Sequence, residues 1–202
     1  SANDIIGTTG ALDNDGDSTS ISGGEGTDTL VIDTDITDAS AVTSIEVLEL
    51  SVDGLTHDMD TITGLESIVI ATDGAGGASN ADSANIDDYD AGTITISDKN
   101  QADVDDDDTI TVDIDIAEDF GEGDADSITV AIAATQEVGD DEEDFVVASI
   151  DIKDEGTGGE NIETFNINVS GARGVTLSAL DINEHGDTPV VNVNTSVALA
   201  MA

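Results

Sequence analysis

Residues 42–50 read Val42-Thr43-Ser44-Ile45-Glu46-Val47-Leu48-Glu49-Leu50, and residues 62–70 read Ile62-Thr63-Gly64-Leu65-Glu66-Ser67-Ile68-Val69-Ile70. The apolar residues and the Glu after Ile45 or Leu65 fall at the same places, 20 residues apart. A later copy, Ile162-Glu163-Thr164-Phe165-Asn166-Ile167, keeps the hydrophobe-Glu opening and then shortens the spacing. A fixed offset near 20 is the mark of a solenoid, in which each coil lays one strand ~4.8 Å from the one before. No single coil can bury its own apolar face, so several must stack. A leucine-rich repeat would need an Asn after each strand and a longer tandem run, and the chain has neither.

Short apolar segments with turn signals between them continue the rhythm. They lie 18 residues apart from Leu30 to Leu48, 20 from Leu48 to Ile68, 16 from Ile94 to Ile110 and 18 from Ile110 to Ile128. Within them the alternation has period two, as in Thr93-Ile94-Thr95-Ile96 and Thr111-Val112-Asp113-Ile114-Asp115-Ile116. The expected fold is all-β, a parallel β-solenoid with coils of about 16–20 residues; the alternative is a β-sandwich of evenly spaced strands. The expected organisation is a solenoid segment over 1–72, a loop or hinge rich in Gly, Ala and Asp over 73–92, and over 93–202 either more solenoid or a second β domain.

Composition supports strands. Of 202 residues, 22 are Ile, 17 Val and 9 Leu, so β-branched side chains, which lose rotamer freedom in helices and suit a pleated surface, dominate the core. Against them stand 47 acids and three cations (Lys99, Lys153 and Arg173), a net charge of -44. Such a chain has nothing with which to neutralise phosphates, which excludes nucleic acid as a partner. Docking on an anionic membrane surface is disfavoured for the same reason, and no apolar run approaches the ~20 residues of a membrane-inserting helix. There is no Cys, hence no disulfide and no thiolate metal site. The chain opens Ser1-Ala2-Asn3-Asp4 without Met, as a processed product or a piece of something longer would.

The acids are of one kind: 34 are Asp and 13 Glu. Asp belongs in turns and in hard-cation loops, whereas an acidic helical surface favours Glu. Many cluster with Gly and Asn, as in Asp13-Asn14-Asp15-Gly16-Asp17, Asp105 to Asp108 and Asp140 to Asp144. Two such charges ~4 Å apart repel by ~1 kcal/mol in water and by more near a protein surface, so clusters call for a screening cation or concentrated salt. The competing reading is a solvated acidic surface that binds nothing specific.

Two motifs give the cation reading its residues. Asp13-x-Asp15-x-Asp17 has the carboxylate spacing that opens a calcium loop, although Ser18 and Gly24 stand where an EF-hand needs Gly and Glu. Gly23-Gly24-Glu25-Gly26-Thr27-Asp28-Thr29-Leu30-Val31 fits the nonapeptide G-G-x-G-x-D-x-U-x at every specified position. Gly121-Glu122-Gly123-Asp124-Ala125-Asp126-Ser127-Ile128 is a later version with one residue inserted, which adds Asp124 and Asp126 to the candidates.

With these turns, the absent Cys, the scarce Lys and the hydrophobe-Glu-x-Leu-x-Leu repeats, the chain resembles bacterial RTX-type proteins. More narrowly, it resembles the calcium-dependent β-solenoid surface-layer proteins and adhesins exported by type I secretion. The resemblance covers residues 1–72 well and 118–170 loosely, and this chain lacks the family's tandem run of nonapeptides. It implies Ca2+ as cofactor, Asp28 as a ligand beside the carbonyls of Gly24 and Gly26, an extracellular cell-surface location, and copies of the chain as partners in a lattice or filament. A calcium-dependent adhesin gripping a cell-surface glycan, or the non-catalytic domain of a secreted hydrolase, are the alternatives.

Nothing marks an enzyme. His57 and His185 are far apart in sequence and each stands beside acids or Gly, so each is expected in an exposed loop. There is no nucleophile elbow and no phosphate-cradling loop. Paired carboxylates are so common that no pair stands out for acid-base work. The apolar, uncharged tail Val197 to Ala202 fits an uncleaved secretion signal, a strand added to a neighbouring subunit or an end created by truncation.

Overall fold

A computed structural model describes residues 3–8, 21–32, 35–36, 42–52, 55–59, 62, 64–72, 82–89, 92–98, 109–117, 127–135, 144–154, 162–183 and 189–201. Every pairing among them is parallel. The chain winds as a β-solenoid, placing a strand in one sheet and then a strand in a second. The first sheet stacks β1 (Ile5–Thr8), β3 (Thr29–Ile32), β5 (Val47–Val52), β7 (Ser67–Thr72), β9 (Thr93–Ser97), β11 (Ser127–Ala134), β13 (Thr164–Gly171) and β16 (Val190–Thr195) in that order. The second stacks β6 (Leu55–Asp58), β8 (Asp82–Tyr89), β10 (Thr109–Ile116), β12 (Phe145–Asp154), β14 (Val175–Leu177) and β17 (Leu199–Met201), with β15 (Leu180–Asn183) also on β12. A short third ribbon pairs β2 (Ile21–Ser22) with β4 (Val42–Thr43). All-parallel pairing excludes the sandwich, whose sheets are antiparallel.

The core is the space between the sheets. Inward residues of β10 (Ile110, Val112, Ile114, Ile116) are buried while the intervening Thr and Asp are partly exposed, the direct outcome of period-two alternation. Equivalent positions form aliphatic columns: Leu30, Leu48, Ile68 and Ile94 stack in register, each essentially without exposure. Fully burying one such side chain contributes roughly 1.5–3 kcal/mol, so the columns carry the fold. Val42, Ile45, Ile62 and Leu65 of the two repeats are also buried, as is Ile162 of the third.

The register corrects the coil length. Leu30 to Leu48 and Leu48 to Ile68 are whole coils of 18 and 20 residues, as expected. Ile94, however, pairs with Val130, 36 residues on, and Val130 with Ile167, 37 on. Ile110 belongs to the second sheet, so the spacings from Ile94 to Ile110 and on to Ile128 are half-coils. Both sheets alternate with the same period, so their strands are indistinguishable in sequence. Within the stretch expected as a loop or hinge, 73–92, Asp82–Tyr89 forms β8, and the first sheet runs across the interval by pairing β7 with β9.

The outer faces differ in charge. On the first sheet one outward column is Thr29, Val47, Ser67, Thr93, Thr129 and Asn166, and the next is Val31, Glu49, Val69, Thr95, Ala131 and Asn168. The columns end in paired amides, Asn192 donating to Asn166 and Asn194 to Asn168, both at 3.1 Å. The second sheet turns Asp outward instead, and that face belongs to the candidate site.

Candidate functional site

Asp4, Asp28, Glu46 and Glu66 each immediately precede a first-sheet strand and stack at one corner of four successive coils. Their carbonyls begin the strand pairing: Thr29 N–H donates to Asp4 O at 2.9 Å, Val47 N–H to Asp28 O at 3.1 Å and Ser67 N–H to Glu46 O at 3.1 Å. Two carboxylates reach back one coil. Asp28 Oδ1 accepts from Asp4 N–H and Glu46 Oε2 accepts from Asp28 N–H, both at 2.8 Å. Charge-assisted bonds of this kind are roughly twice as strong as neutral ones. They explain locally why the repeat keeps an acid just before the strand.

Asp28 is completely buried, and among the described residues its Oδ2 has no hydrogen-bond partner. Gly23 of the nonapeptide packs directly against this carboxylate. Gly24 and Gly26 hold φ of 92° and 141°, backbone that L side chains rarely adopt. A Cβ on Gly23 would stand 2.6 Å from Asp28 Oδ2 and 2.2 Å from the Ser44 carbonyl oxygen, so only Gly fits there. Leu30 of the motif points into the core with no exposure. A buried carboxylate oxygen needs a proton, a water or a cation. The carboxylate and the Ser44 carbonyl are hard oxygen donors of the type calcium takes, so Asp28 fits the ligand role. Among the described residues, however, no group of three or more His, Cys, Asp or Glu is arranged to hold a metal by itself. Asp13, Asp15, Asp17, Asp124 and Asp126 lie outside the described residues.

The second concentration of charge covers the outer face of the second sheet. Asp113, Asp151 and Asp181 stack in register; beside them Asp58 pairs with Asp87, and Asp115 with Lys153. In-register parallel strands place such carboxylates ~4.8 Å apart, close enough to repel. Burial pushes Asp87 above the ordinary carboxylate range, helped by the charges of Asp58, Asp88 and Asp113 and opposed by Lys153. Lys153 sits in the middle of the array, its Nζ 2.6 and 2.7 Å from the two Asp113 oxygens and 3.3 Å from Asp151 Oδ2. It is pushed up to about 12, first by the hydrogen bond to Asp113 and then by that to Asp151, with desolvation opposing.

Two features carry no signal in the sequence. His57, expected exposed, is fully buried in the column Ile36, His57, Ile86, and neither ring nitrogen has a hydrogen-bond partner among the described residues. Desolvation pushes it down to about 4, with Asp35 opposing. Arg173 is buried against Asp98: its Nε and its second terminal nitrogen lie 3.0 and 2.9 Å from Asp98 Oδ2. Asp98 Oδ1 accepts from the Thr135 amide and hydroxyl at 2.6 and 2.9 Å, and the guanidinium lies 5.6 Å from the Phe145 ring centre. This network pins three coils together through their shared corner.

No family model matches the chain, and neither curated proteins nor solved structures give a match.

Proposed function

We propose that the chain is a calcium-stabilised structural protein that folds outside the cell and assembles with copies of itself into a surface layer or filament. The observation that carries the reading is the buried Asp28 carboxylate, whose Oδ2 lacks a hydrogen-bond partner among the described residues. The in-register Asp columns of the second sheet and the net charge of -44 add a general demand for countercharge. Bound calcium supplies positive charge and six to eight oxygen-coordination positions. The chain's own residues do the rest. Asp28 offers its second oxygen, Gly23 lets the turn approach that carboxylate closely, and Glu46 ties the corner to the coil before.

Without a divalent cation the carboxylates repel and the coils stack weakly, which suits an extended chain during export; with one, coil stacking and cation binding share the same free energy. The test is a calcium titration followed by circular dichroism and electron microscopy in the same samples. The reading expects β signal and melting temperature to rise with calcium and ordered assemblies to follow. A spectrum and melting point indifferent to calcium and to excess chelator would overturn it.

A further inference from the structure

We propose that the outer face of the first sheet is the surface by which two copies of the chain pack against each other, leaving the two carboxylate-bearing second sheets facing outward. This rests on the self-assembly part of the function proposed above but does not require the calcium site.

Charge selects the face. Two copies of a chain of net charge -44 repel wherever carboxylates meet, and long-range repulsion of this size keeps acidic proteins apart. Contact is least unfavourable where charge is missing. In the two outward columns of the first sheet, Glu49 is the sole carboxylate, set among Thr, Val, Ser, Ala and Asn. The outer face of the second sheet presents Asp58, Asp87, Asp113, Asp115, Asp151 and Asp181 with Lys153 as the one cation among them. Like charges brought across an interface cost several kcal/mol, so the second sheet is a poor surface for a copy of itself.

Shape and size agree. The face is built from eight parallel strands whose outward side chains are short. Residues such as Val31, Val69, Thr95 and Ala131 are already half-buried by their neighbours in the column, so little side-chain entropy remains to be lost on docking. Eight strands ~4.8 Å apart extend ~35 Å, and their four to eight residues, about six on average, span ~15–20 Å on average. Two such faces together bury roughly 1,000–1,400 Å², which reaches the ~1,000 Å² that a specific interface needs.

The experiment uses the full chain at constant calcium and about 0.5 M salt, where the Debye length is below ~5 Å and residual repulsion is screened. Sedimentation velocity over a concentration series is expected to show a monomer–dimer equilibrium. Val69→Asp with Thr95→Asp places charge against charge and is expected to raise the dissociation constant about tenfold or more. Asn183→Asp, which adds one carboxylate beside Lys153 on the second sheet, is expected to leave it unchanged. Circular dichroism verifies that the variants fold.

The Cys-free chain allows a second measurement that no folding defect can mimic. Thr95→Cys copies are expected to cross-link through a short bis-maleimide, and Asn183→Cys copies are not. A wild-type chain that stays monomeric, a Val69/Thr95 variant that dimerises as well as wild type, or equal cross-linking at the two positions would each overturn the proposal. The substitutions are compared at fixed calcium, so association that survives them rejects this face while the calcium reading stands. Failure of the chelation test rejects calcium while leaving the face untouched.

Discussion

At the scale of single residues, the decisive groups are those the core holds against their chemistry. His57 is neutral because burial excludes water and no acceptor or donor replaces it. Its folded value near 4 lies below the 6.5 of an exposed imidazole, so between these values the unfolded chain binds more protons. Stability is therefore full above about pH 6.5 and is lost as pH falls towards 4, by an amount on the order of 3 kcal/mol for this residue. Urea midpoints at neutral pH and near pH 4.5 measure the loss. His57→Leu, which matches the aliphatic column of Ile36 and Ile86, should flatten the dependence over that interval and raise stability at both pH values.

Asp28 poses the opposite problem, a buried acceptor with one oxygen to spare. Asp28→Asn keeps an oxygen for the Asp4 amide but replaces the anionic oxygen with a donor. Without calcium the melting temperature of this variant should lie close to that of the wild type. With calcium the variant should lose most of the rise, which differential scanning fluorimetry measures directly. The contrast between these two residues shows what sequence conveys. Asp28 stands in a motif whose spacing announces it. His57 stands beside Thr56 and Asp58, which look like loop but are the outward residues of a strand whose inward residue is the imidazole.

At the scale of elements, the strands were legible wherever the two faces differ in polarity. Leu30, Leu48 and Ile68 could be aligned residue for residue, because the strands between them, β4 and β6, are short and carry no long apolar alternation to compete for the register. Beyond Ile94 the strands of both sheets carry the same long alternation, so the register depends on which sheet a strand joins, and alternation alone does not say which. The corner pin of Asp98, Thr135 and Arg173 was not legible at all, since its members are 37 and 38 residues apart and none stands in a motif. Its energetics are nevertheless definite. Arg173→Met should strand a buried Asp98 carboxylate and cost roughly 3–5 kcal/mol in chemical denaturation. Asp98→Asn combined with Arg173→Met should recover most of that loss, because the pair rather than either residue satisfies the site.

At the scale of the whole molecule, the solenoid separates its charge. Lys153 is the single cation within the acidic columns, and its pairing with Asp113 and Asp151 lies at the partly exposed surface. Lys153→Gln should therefore lower the melting temperature in dilute buffer, with the difference shrinking as salt is added, because screening replaces the lost countercharge. Net charge and strand composition were readable from the chain as a whole. The sorting of charge to one outer face was not, because it follows from which sheet each alternating strand enters.

Calcium-coupled folding is tested by the melting temperature of the full chain, followed by circular dichroism, in calcium and again after exchange into excess chelator at the same ionic strength. A calcium-held corner predicts a large fall in melting temperature or outright loss of the β signal, restored by calcium and not by an equal charge of sodium. Identical melting curves in the two buffers would contradict it.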